Sequence, residues 1–148
     1  MVFRIALFTG ILCMLSASLK VSAQGVNLSS DLQVIGNGTG LTEMTFSDLK
    51  HYYRGEHNSW DSRTEVIIVL PSSKHKDAER ISKEIYSKSF YGVKKFWLSL
   101  VFQGRFNAPQ FFDSDKEIAE FVVKNKGAIG LVSKKTNIVK ELVITMKE

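Results

Sequence analysis

Five consecutive apolar residues, Val66-Ile67-Ile68-Val69-Leu70, stand between a polar segment around Trp60 and the turn Pro71-Ser72-Ser73. A run this short, mostly β-branched and closed by proline, predicts a strand, and its lack of polar alternation predicts burial on both faces. Such a strand needs neighbours beside it and helices above and below it.

The remaining sequence supplies those pieces. Asp31 to Ile35 predicts a short strand, followed by Gly36-Asn37-Gly38-Thr39-Gly40, where three glycines in five residues mark a loop. Thr45 and Asp48 open a helix whose Phe46, Leu49 and Tyr53 share a face, and Gly55 ends it. A helix from Asp77 to Lys88 carries Ala78, Ile81 and Ile85 on one stripe. In the next, Val93, Phe96, Trp97, Leu100 and Val101 fall at helical spacing before Gly104. Ser114 and Glu117 form a capping box for a helix that stops at Gly127. Ala128 to Val132 and Ile138 to Met146 read as closing strands. Strands alternating with helices predict an α/β domain with a mixed, largely parallel sheet flanked by helices.

The chain has 148 residues, one cysteine and a formal charge of +5. Its first 23 residues carry one early charge at Arg4, an apolar stretch from Ile5 to Leu15 and Val21-Ser22-Ala23, the layout of a secretory signal peptide cleaved after Ala23. Leu12 before Cys13 argues against a lipid anchor. Cleavage removes Arg4, Lys20 and Cys13, leaving 18 basic against 15 acidic residues, a charge of +3, and no cysteine. Such a chain is held by its core and not by disulfides. Residues 24–30 read as a flexible leader and residues 31–148 as one domain, with no segment after cleavage suited to membrane insertion.

Several chemistries find no support. His51, His57 and His75 lack metal-ligand spacing and read as surface residues, so no metal or cofactor is expected. There is no G-x-S-x-G elbow or Walker loop, and the third glycine of Gly36-x-Gly38-x-Gly40 comes too early for a dinucleotide fingerprint. Asp113 and Asp115 are explained by their place at a helix start. A charge of +3 spread along the chain is no nucleic-acid stripe. No nucleophile, base and metal set points to an enzyme.

Ser72-Ser73-Lys74-His75-Lys76 joins the buried strand to a helix N-terminus. Lysines beside the positive end of a helix dipole are unfavourable unless something negative joins them. An anion held by the serine hydroxyls, with Arg80 reaching back, would resolve the conflict. A solvated turn balanced by Asp77 and Glu79 is the other reading. In open α/β sheets, ligands bind beyond the carboxyl ends of strands, which is where this turn lies.

Phe46-Ser47-Asp48-Leu49, Tyr53-x-Gly55, Trp60, the strand into Pro71-Ser72-Ser73, Phe96-Trp97, Phe102-x-Gly104 and Gly127-Ala128-Ile129-Gly130 together resemble the phosphate-binding proteins of ABC transporters, within the periplasmic binding protein superfamily. The resemblance implies a shortened, single-lobe domain, because the relatives are two-lobed and about twice this size. Where they have a glycine-rich Ser/Thr segment, this chain has Pro71 to Lys76. It implies an exported, periplasmic module that binds phosphate or a similar oxyanion, serves an inner-membrane transporter or other envelope protein, and is not an enzyme. The expected ligand residues are Ser72, Ser73 and Arg80, with Thr39 in an opposing loop. The alternative is an interaction domain that keeps the fold without a ligand and docks through Tyr52, Trp60 or Phe112.

Overall fold

A computed structural model describes residues 27–147. The expected signal peptide lies outside the described residues. The elements in chain order are β1 (Leu32–Gly36), β2 (Glu43–Thr45), α1 (Phe46–Tyr53), β3 (Ile67–Pro71), α2 (Ala78–Tyr86), α3 (Phe90–Phe102), β4 (Gln110–Phe112), α4 (Asp115–Lys124), β5 (Ala128–Ser133), a 3-10 turn (Lys140–Leu142) and β6 (Val143–Lys147). The strands form one sheet in the order β2-β6-β1-β5-β3-β4. β3 is parallel to both β4 and β5, and β2 is parallel to β6, whereas β1 is antiparallel to β5 and β6. Five strands therefore run one way and β1 the other, which is the mixed, largely parallel α/β sheet expected.

Strand alternation sorts the core into two layers. Ile68 and Leu70 of β3, with Ile129 and Leu131 of β5, face α1, α2 and α3 and pack on Leu49, Tyr53, Ile81, Ile85 and Trp97. Val69, Ala128 and Val132 face α4 and pack on Ile118 and Val122. β3 is thus buried on both faces, as its unbroken apolar run requires.

Glycine signals end α1 and α3 where predicted, whereas α2 ends at Tyr86 and α4 at Lys124, two to three residues before their expected stops. Gly55, at φ +68°, donates to Tyr52 O while Glu56 donates to His51 O, and Gly104 and Arg105 repeat the pattern on Val101 and Leu100. Three expectations need correction. β2 and β4 were not predicted, because three-residue strands carry too little alternation to register. The last strand begins at Val143 and not Ile138, since Lys140–Leu142 turns first. The leader is anchored from residue 28, with Leu28 packed on the core and Ser29 bonded through its N–H and hydroxyl to the Glu84 carboxylate.

Gly127 and Gly130 show why Gly-Ala-Ile-Gly opens β5. Gly127 sits at φ +90°, and a Cβ there would overlap the Glu65 carbonyl oxygen. A Cβ on Gly130 would stand 2.8 Å from Ile118 Cγ2, so its absence sets how closely α4 approaches the sheet. Buried Trp60 donates from Nε1 to Gly127 O at 2.9 Å, tying the loop before β3 to the start of β5. In urea denaturation, Gly127→Ala is expected to lower stability by about 2–3 kcal/mol, from left-handed strain and backbone overlap. Trp60→Phe keeps an aromatic ring but removes one of the two hydrogen bonds to the Gly127 carbonyl, which still accepts from Ile67 N–H at 3.0 Å, and is expected to cost about 1 kcal/mol in the same measurement.

Candidate functional site

β3 and β4 are parallel neighbours with Pro71 opposite Phe112, so their carboxyl ends leave the sheet side by side. The turn into α2 and the start of α4 consequently meet. Ser72 N–H donates to Phe112 O at 2.7 Å, the Ser72 hydroxyl donates to Asp113 Oδ1, and Lys74 N–H donates back to Ser72 Oγ at 3.2 Å. Lys74 Nζ lies 3.5 Å from the other Asp113 oxygen. The Ser72 hydrogen bond, then the lysine charge, hold the exposed Asp113 carboxyl below its ordinary range. The negative group that the basic turn demanded is present, and the chain itself supplies it. Ser73 is exposed beside this pair.

Two further contacts bind the turn to its surroundings. His75, expected at the surface, is 5% exposed. Its Nδ1 accepts from the Asp77 backbone N–H at 3.1 Å, which leaves the ring proton on Nε2, 3.2 Å from Asp115 Oδ1. Burial is the consequence of both nitrogens being satisfied. Arg80 donates to Asp31 and to Asp77, each at 2.7 Å. These bonds, the one to Asp31 foremost, raise the guanidinium's pKa and hold Asp31 low. Arg80 therefore joins the start of β1 to the start of α2 and is not turned back onto the serines, a correction to its expected role.

His75, Asp77 and Asp115 place three potential metal-ligand atoms within 4.8 Å of one another. Metal coordination through Nε2 would need its proton removed while Nδ1 already accepts from a backbone donor, and Asp77 is drawn to Arg80. The group is better suited to linking two helix starts than to holding an ion.

Thr39 is not part of this place. β1 runs against β3 and β5, so Gly36 pairs with Ile129 near the beginning of β3, while Ser72 follows its end. The length of a five-residue strand, about 16 Å, separates those two edges. Thr39 is buried and accepts from Leu41 N–H at 3.2 Å. The glycine loop instead closes α4: Asn37 Nδ2 donates to Val122 O at 3.0 Å and Val123 O at 2.9 Å, satisfying carbonyls at the end of that helix.

The aromatics expected to dock are packed. Trp60 is buried, Tyr52 stacks on it at 4.3 Å between centroids, and Phe112 packs on Phe121 at 5.1 Å. Among the described residues, the exposed large apolar ones are Tyr91, Leu98, Phe102, Val123 and Val139. A cavity of about 500 Å³, lined by Leu28, Leu32, Val34, Phe46, Ile144 and Met146 among others, lies over β1 and β6, away from the turn. Sequence reasoning missed Asp113 as a partner of Ser72. The missed signal was Phe111-Phe112: read as a strand pairing with β3, it places Asp113 beside Ser72.

No family model matches the sequence, and no curated protein matches it. Solved structures do match the fold. An ABC-type phosphate transport receptor from Vibrio cholerae superposes with a TM-score of 0.59 at 14% identity, over 78% of this chain and 46% of the other. PstS from Borrelia burgdorferi gives 0.59 at 16% identity, over 80% and 47%. A putative phosphate ABC transporter substrate-binding protein with bound phosphate from Clostridium perfringens gives 0.57 at 15% identity, over 79% and 44%. The chain spans less than half the length of these structures and has the α/β fold of that part of them.

Proposed function

We propose that this chain is an exported, single-lobe solute-binding module that takes phosphate, or a similar small oxyanion retaining a proton, at the turn between β3 and α2. The observation that carries the reading is the seating of a carboxylate on the Ser72 hydroxyl and Lys74, beyond the carboxyl ends of parallel strands. Donors that hold a carboxylate there are suited to a free oxyanion, and the exposed Ser73 hydroxyl adds one more. Exposed ion pairs contribute only about 1 kcal/mol or less, so Asp113 is readily displaced.

Once displaced, Asp113 remains a negative neighbour. It accepts a hydrogen bond from a ligand that carries an O–H, such as hydrogen phosphate, and repels one that does not, such as sulfate. Arg80 supports the site by holding Asp77 and Asp31, without touching the ligand. One lobe encloses less of an ion than two, so binding is weak. Residues 1–23 serve as the export signal and the periplasm is the place of action, with an inner-membrane transporter or another envelope protein as partner. The structural neighbours named as phosphate receptors and binding proteins support a binding role over an enzymatic one. A second reading, a domain that keeps the fold and takes no ligand, is favoured by Ser72 and Arg80 already being paired within the chain.

Chemical-shift titration separates the two. The wild type is expected to bind phosphate with Kd on the order of millimolar and to ignore sulfate. Ser72→Ala should weaken phosphate about tenfold, and Asp113→Asn should admit sulfate. Absence of phosphate shifts in both the wild type and Asp113→Asn would overturn the proposal and leave the second reading.

A further inference from the structure

Helix α3 has two apolar faces. Toward the core it buries Phe90, Val93, Trp97 and Leu100. On the opposite side Tyr91, Lys95, Leu98 and Phe102 fall at i, i+4, i+7 and i+11, one line about 16 Å long. Tyr91 is 73% exposed, Leu98 55% and Phe102 82%. An outward helix face is ordinarily polar, and the core gains nothing from these three side chains.

Along the segment that carries them, charge is of one sign. From Ile85 to Phe112 the sequence contains Lys88, Lys94, Lys95 and Arg105 and no acidic residue. Among the described residues none of the four cations forms an ion pair, and Lys94 lies 5.9 Å from the centre of the Phe90 ring. Glu79 and Glu65, from neighbouring segments, are both engaged by hydrogen-bond donors. Glu79 of α2 accepts from the Phe90 N–H, and Glu65 accepts from the Asn107 side chain.

We propose that the outer face of α3 is a peripheral contact for an anionic phospholipid surface. Tyr91, Leu98 and Phe102 enter the headgroup boundary, while Lys94, Lys95 and Arg105 meet lipid phosphates, their long stems lying along the apolar line. Charge complementarity names the occupant: unpaired cations around an apolar line suit a surface that is negative outside and apolar just beneath. Three exposed side chains offer a few hundred Å², well under the roughly 800 Å² per partner of a stable protein interface. A bilayer needs no matching surface of its own. The contact is superficial, since no helix among the described residues is long and apolar enough to cross a membrane.

Vesicle flotation of the full chain tests this, comparing phosphatidylcholine vesicles with vesicles containing about 30% phosphatidylglycerol. Residues 1–26 are common to every variant, so differences between variants report on α3. The expected result is association with anionic vesicles about tenfold above neutral ones, weakened by high salt. The pair Leu98→Ser and Phe102→Ser should reduce it about tenfold, as should Lys94→Glu with Lys95→Glu, with thermal melting unchanged because all four positions are exposed. Equal flotation of all variants, or of the wild type on both vesicle types, overturns the proposal. So does a wild-type dimer that dissociates on Phe102→Ser without vesicle binding, which gives the face to a second copy. Retention on an immobilised acidic polypeptide but not on vesicles also overturns it, in favour of an acidic protein.

Discussion

The reversed strand β1 is the constraint on which the architecture depends. It is hydrogen-bonded to β5 on one side and β6 on the other, so it alone joins the parallel block β5-β3-β4 to the block β6-β2. Its direction also decides what reaches each end of the sheet. Asp31, just before β1, meets Arg80 at the start of α2 and accepts through its carbonyl from Lys134 N–H after β5. The glycine loop that follows β1 is carried to the other end, where Asn37 closes α4. A parallel β1 would have sent that loop toward Ser72 and left Arg80 without Asp31.

The edge bearing the β3–α2 turn is governed by the distribution of charge. Lys74 and Arg80 are each met by carboxylates from the same chain, and the buried His75 is held between Asp77 and Asp115. Such a turn sets hydroxyl and ammonium groups beside acidic neighbours. Those acidic neighbours offset the positive charge of Lys74 beside the helix N-terminus.

α3 obeys a different logic from the other helices. One of its faces completes the core through Trp97, whose Nε1 donates to the Tyr86 hydroxyl at 2.9 Å, and its other face stays apolar in water. Periodicity alone describes the first face well. The second was hidden by the same feature, because a helix rich in apolar residues all round reads from sequence as buried.

Much of the fold was legible because its signals act over a few residues. Thr45 and Ser114 cap their helices, Gly55 and Gly104 terminate theirs, and the run ending at Leu70 had to be an interior strand. The candidate site was legible only in part. Its location followed from the strand–turn–helix order, and Ser72 stands there with Ser73 beside it. The partner of Ser72 lies 41 residues away, and that of Arg80 lies 49 residues away. Those pairings, and the removal of Thr39 to the opposite edge, depend on strand direction and register. Which strands pair, and in which direction, is decided between segments far apart in the chain, and a local side-chain pattern constrains register only once the partner is given. By itself the sequence determined the longer elements, the caps at Thr45 and Ser114, and an interior strand buried on both faces. Only the tertiary structure decided which charges meet.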